Sequence, residues 1–152
     1  MTSARESKKA RAQLDARLSN FRPELLAVPR SGWLRAIRNA LGMSGADLAH
    51  RLGVTAPAVF ELEKNERAGT IRLDSLRKAA EALDCTLVYG FVPKRGLAET
   101  VRARAEELAN EELRHVGQTM ALEDQAVPIQ EESREELIQQ IANSRGLWSR
   151  KS

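Results

Sequence analysis

Between Ser44 and Glu66 the chain reads SGADLAHRLGVTAPAVFELEKNE, and this stretch holds the residues best placed to do chemistry. Two short helices that cross closely need a small residue where they touch, a glycine at the turn and apolar residues on each inner face. Ala49, Gly53, and the set Leu48, Leu52, Val59 and Leu62 supply these in order. A second helix held this way presents its first-turn side chains to base edges in the DNA major groove, while the first helix and the flanking loops suit phosphates. The chemistry on offer is recognition, not bond-making. A bundle of three helices that never meets DNA is the bland alternative.

Other chemistries find little. His50 and His115 are the only histidines and have no metal-ligand spacing. Glu61, Glu63 and Glu66, beside Lys64 and Arg67, read as a solvated helix face and not as a carboxylate cluster. There is no GxSxG elbow, phosphate-cradling glycine loop or dinucleotide fingerprint, so the expectation is a protein that is not an enzyme and takes no cofactor and no metal. Cys85, the single cysteine, excludes an intramolecular disulfide and reads as core filling in a reducing compartment. The absence of an apolar run of membrane length and of a signal-like start gives the expectation of a cytoplasmic location.

A chain of 152 residues with 42% hydrophobic, 30% charged and 4% aromatic residues suits one compact core with appendages, packed from Leu, Ala, Val and Ile in helices. The net charge of +3 hides a strong polarity along the chain. Residues 1–38 carry nine Lys/Arg against three Asp/Glu, whereas residues 97–136 carry four Arg against eleven Asp/Glu. Arg5, Lys8, Lys9, Arg11 and Arg17 suit phosphates flanking a binding site, or equally a solvated face. The acidic stretch from Glu99 to Glu136 reads as a solvated face, with a partner-binding surface as the alternative.

The elements that must position the central stretch follow from periodicity. A basic amphipathic helix is expected from Ser3 to about Asn20, and a connector with Pro23 and Pro29 from Arg22 to Arg30. Ser31 as a cap and Trp33, Leu34, Ile37 and Leu41 as a stripe predict a helix stopped by Gly42. Ser44 with Asp47 resembles a capping box for the next helix. Thr55 and Pro57 open the one after it, and Glu63 to Arg72 reads as a polar loop. Leu73, Leu76, Ala79, Ala80 and Leu83 predict a closing helix. Thr86 to Val92 (TLVYGFV) reads as a single β-strand, which needs the same strand of a second copy, paired about a two-fold axis. Leu97 to about Val116 and Glu132 to about Ser144 are expected helices, separated by an interruption from Ala126 to Ile129. The tail from Arg145 depends on docking of Leu147 and Trp148.

Over about Gly32 to Leu83 the sequence resembles the Xre/Cro family of phage-like repressors. The resemblance implies a lambda-repressor-like, mainly α fold. It also implies that Thr55, Ala56, Pro57, Ala58, Phe60 and Glu61 line the groove-facing side, with Ser44, Lys64, Asn65 and Arg67 completing the DNA-contacting set. Gly45 stands where that family often has a phosphate-gripping glutamine, and the reading helix has few Gln, Asn or Arg for bidentate base contacts. The chain as a whole, including LRKAAEALDCTLVYGFVPK, MALEDQAVP and ELIQQIA, looks like the mobile mystery protein A family, whose members are encoded beside a Fic-domain partner. That resemblance implies an antitoxin-like regulator. The Glu-Gly or Glu-Asn dipeptide used by some Fic inhibitors is missing, so that inhibitory mechanism has no support.

The reading is therefore a mainly helical protein with a helix-turn-helix bundle, one short dimerising β-strand and helical extensions at both ends. Residues 1–30 form a basic extension and connector, 31–93 the helix-turn-helix domain with its strand, and 94–152 an acidic helical region. The expected function is that of a homodimeric, sequence-specific transcriptional repressor of its own operon, with double-stranded DNA as partner and no membrane. The alternative is a module that binds and neutralises a Fic-type partner, with DNA binding secondary.

Overall fold

The computed structural model describes residues 3–123, 128 and 130–149. Among the described residues there are seven α-helices: α1 Ala4–Leu18, α2 Trp33–Ala40, α3 Gly45–Leu52, α4 Ala56–Ala68, α5 Leu73–Ala82, α6 Leu97–Leu122 and α7 Glu131–Ala142, with a 3-10 turn at Pro23–Leu26. They form two compact units. One runs from Arg22 to Phe91; the other joins residues up to Phe21 to those from Val92 onward. The boundaries expected from the sequence fall after Arg30 and Pro93, which makes α1 a separate extension. In the structure α1 packs on α6.

In the 22–91 unit, Leu34, Leu48, Ala49, Val59, Ala79 and Leu83 form one buried cluster, with Ile37, Leu52, Leu62, Leu76 and Cys85 packed around it. The helix ends follow local rules. Ser44 accepts the Asp47 amide while the Asp47 carboxylate accepts that of Ser44, and the Ser44 hydroxyl, donating to the same carboxylate, together with that amide holds the Asp47 carboxyl below its ordinary value. Thr55 caps α4 by accepting the Ala58 amide, and Gly53 closes α3 at a left-handed φ of 69°.

Two expectations are corrected here, and both corrections arise from acidic residues of α4. The helix does not end at Glu63 but continues to Ala68. Apolar periodicity fails in its second half because the inner face there is charged: Glu63 is buried and accepts from Arg38 Nε at 2.7 Å. Arg38 also donates to the Met43 carbonyl at 3.0 Å. One turn on, the Glu66 carboxylate accepts the amides of Trp33 at 2.6 Å and Leu34 at 3.0 Å, so α2 is capped by α4 and not by Ser31. Gly32, at φ 78°, makes room for that carboxylate, since a Cβ would lie 2.9 Å from Glu66 Oε2. Of the three glutamates read as a solvated face, only Glu61 is exposed. In the α2 stripe Leu34 is buried and Ile37 half-buried, whereas Trp33 and Leu41 face solvent.

The expected dimerising β-strand is not confirmed. Thr86–Val92 carries no regular secondary structure, and there is no strand among the described residues. The physical reason is the one already noted for a lone strand: a ladder needs a second strand, and the described residues supply none.

The other unit has its own core, in which Val101, Ala105, Leu108 and Ala109 of α6 meet Ile138 and Ile141 of α7 and the buried Leu147. α6 extends six residues past the expected Val116, which is itself exposed. The Asp15 carboxylate of α1 accepts the first amides of α6, from Leu97 at 2.6 Å and Ala98 at 3.0 Å, and those donors hold its carboxyl below the ordinary value. Arg102 grips Glu135 with two bonds of 2.8 Å and reaches Glu106 as well. Trp148 is exposed. The expected interruption from Ala126 to Ile129 lies outside the described residues apart from Pro128, as do the last three residues of the tail.

Removing one member of the Arg38–Glu63 pair strands a buried charge. Arg38→Met should destabilise the 22–91 unit by about 3–5 kcal/mol, while Arg38→Met with Glu63→Leu should recover most of the loss. Urea denaturation of the three proteins tests this. Glu135 is pulled from 4.5 to about 2 by its bonds from Arg102 and Gln139. A depressed carboxylate contributes stability that is complete above pH 4.5 and lost as the pH falls towards 2. The melting temperature of Glu135→Gln should thus lie below that of the wild type at pH 6 and converge with it in that acid window.

Candidate nucleic-acid interface

The α3–turn–α4 arrangement starts from Ala49, whose small buried side chain sits in the shared core of the two helices, and from the turn, where the amide of Val54 donates to the Ala49 carbonyl at 3.0 Å. Arg51 Nε donates to the Ala82 carbonyl at 2.6 Å and ties α3 to the end of α5. With Val59 and Glu63 turned inward, the helical period leaves Pro57, Phe60, Glu61 and Lys64 on one exposed face of α4.

The ten residues expected to contact DNA divide accordingly. Pro57, Phe60, Glu61 and Lys64 share the exposed face, and Arg67 is exposed in the last turn. Ser44 and Thr55 are the N-caps of α3 and α4, each with its hydroxyl engaged by a backbone amide. Ala56 is half-buried against the core cluster, and Ala58 is half-buried. Asn65 is half-buried, and its main-chain carbonyl ends α4 by accepting the amides of Thr70 at 2.9 Å and Ile71 at 3.2 Å. Glu61 and Lys64 are 3.7 Å apart and well exposed, a contact too solvated to hold either side chain firmly.

One relation escaped the sequence reading. Gly45, the first residue of α3, is buried beneath the ring of Phe60, and a Cβ there would lie 2.9 Å from the ring Cζ. The signal was a glycine at a helix start where no turn requires one, which points to close approach of another group.

The exposed cations of this unit also include Arg35, Arg51, Arg72, Arg77 and Lys78. Arg72 is paired with Asp74 at 3.2 Å. Among the described residues no group of three or more His, Cys, Asp or Glu is arranged to hold a metal ion, and no helix is long and apolar enough to cross a membrane.

Residues 34–89, which take in nearly all of α2 and the whole of α3, α4 and α5, match the helix-turn-helix family. The chain therefore carries a helix-turn-helix domain of the Xre type over those residues, the type of domain found in DNA-binding transcription regulators. No curated protein and no solved structure matches the chain.

Proposed function

We propose that this protein is a sequence-specific DNA-binding transcriptional regulator, acting as a repressor of its own operon and not as an enzyme. The observation that carries the reading is the position of α4 within the matched domain. It opens on a capped first turn, its inner face is locked by Glu63 and Glu66, and its outer face of Pro57, Phe60, Glu61 and Lys64 is left uncovered. A rigid helix with a free first-turn face is what the major groove admits.

A homodimer belongs to the same proposal. Val88, Tyr89 and Phe91 are exposed in a segment with no ladder to any described residue, and such a run is suited to pairing with its own copy. Two copies would present two recognition helices about 34 Å apart on a pseudo-palindromic site. An antitoxin-like role beside a Fic-domain partner rests on the family resemblance alone. Repression of a shared operon and neutralisation by the acidic region are both compatible with the missing Glu-Gly or Glu-Asn dipeptide.

Fluorescence anisotropy with duplex from the upstream region, against scrambled duplex at two salt concentrations, tests the first part. A preference of about a thousandfold or more is expected, and Lys64→Glu should weaken binding at least about tenfold at an unchanged melting temperature. Weak, equal binding to both duplexes that vanishes with salt would refute the reading and turn attention to a protein partner. Phe91→Asp should convert a dimer to monomer in sedimentation equilibrium with little change in helicity, because the side chain is 88% exposed.

A further inference from the structure

Phe60 has unusual surroundings for a side chain on the outer face of α4. Its ring is 54% exposed, yet it is not free: its edge lies over Gly45, where a Cβ would stand 2.9 Å from Cζ and 3.3 Å from Cε1. Gly45 opens an ordinary helical turn that any residue could adopt, so its lack of a side chain matters for the close approach of the ring. A large apolar group thus stands on the exposed face of α4 with Pro57, Glu61 and Lys64, its ring tip against Gly45.

The rest of the face narrows what this ring can recognise. From Ala56 to Leu62 there is no Gln, Asn, Arg or Lys, so the bidentate contacts that identify guanine or adenine have no donors in the first two turns of α4. The major groove displays one apolar feature, the C5 methyl of thymine, and a phenyl ring is among the groups that match it.

We propose that Phe60, seated on Gly45, selects the binding site by contact with a thymine methyl group. This inference rests on the DNA-binding reading of residues 34–89. Gly45 is then a positioning residue: it holds the ring at the height from which the methyl is reached, and touches no base itself.

The test begins with selection of sites from random duplexes by the full-length protein. Each thymine of the selected site is then replaced singly by deoxyuridine, which removes the methyl and leaves every hydrogen-bonding group in place. At one thymine per half-site the wild type should lose about fourfold in affinity, the worth of one buried methyl. Phe60→Ala should bind the thymine and uracil duplexes equally, and Gly45→Ala, with wild-type helicity, should narrow the difference. A wild type indifferent to uracil at every position, or a Phe60→Ala variant that keeps the full difference, would overturn the inference while leaving DNA binding intact. Failure to enrich any duplex would instead overturn the DNA-binding reading itself.

Discussion

The 22–91 unit depends on a buried charge pair. Arg38 of α2 and Glu63 of α4 meet at 2.7 Å with both side chains almost wholly shielded, and the second guanidinium contact, to the Met43 carbonyl, also comes from within the unit. Burying two charges is unfavourable unless each is fully engaged, so the geometry tolerates little rotation of α4 about its own axis. Glu66, one turn further, reinforces the same rotation by capping α2. Since 3.6 residues complete a turn, fixing positions 63 and 66 inward fixes 57, 60, 61 and 64 outward. The aim of the recognition face is therefore set on the side of the helix that DNA would never touch.

That arrangement also explains what was legible in the residues and what was not. The caps at Ser44 and Thr55, the turn at Gly53 and the inner apolar positions of α3 and α4 were readable, because each is decided within a few residues of chain. The second half of α4 was not, because its inward residues are glutamates whose partners lie 25 and more positions away, and a local reading assigns such residues to solvent. The cap of α2 was misplaced on Ser31 for the same reason. TLVYGFV has strand composition, yet composition cannot supply a ladder, and the single chain forms none. Ala56 is half-buried against the core, a distinction within α4 that depends on rotation within one turn.

The unit of α1, α6 and α7 is held differently. Its core is small and aliphatic, and its charges are organised at the surface. Arg102 joins Glu106 on its own helix and Glu135 on α7, and Arg134 reaches back to Asn110. The acidic stretch from Glu99 to Glu136, read as a solvated face, thus includes carboxylates that brace one helix against another. Asp15 does the same for α1, its carboxylate accepting the first amides of α6.

The charge balance of the 22–91 unit bears on how such a domain would discriminate. It contains ten Lys/Arg and eight Asp/Glu; with Arg38, Glu63 and Glu66 engaged internally, nine cations stand against six carboxylates. A modest excess of positive charge gives a modest gain from counterion release, so a single unit would hold nonspecific DNA weakly. Any discrimination by such a unit would then depend more on contacts at base edges than on charge. A weakly charged surface with one fixed apolar contact is suited to sampling many sequences and remaining on few.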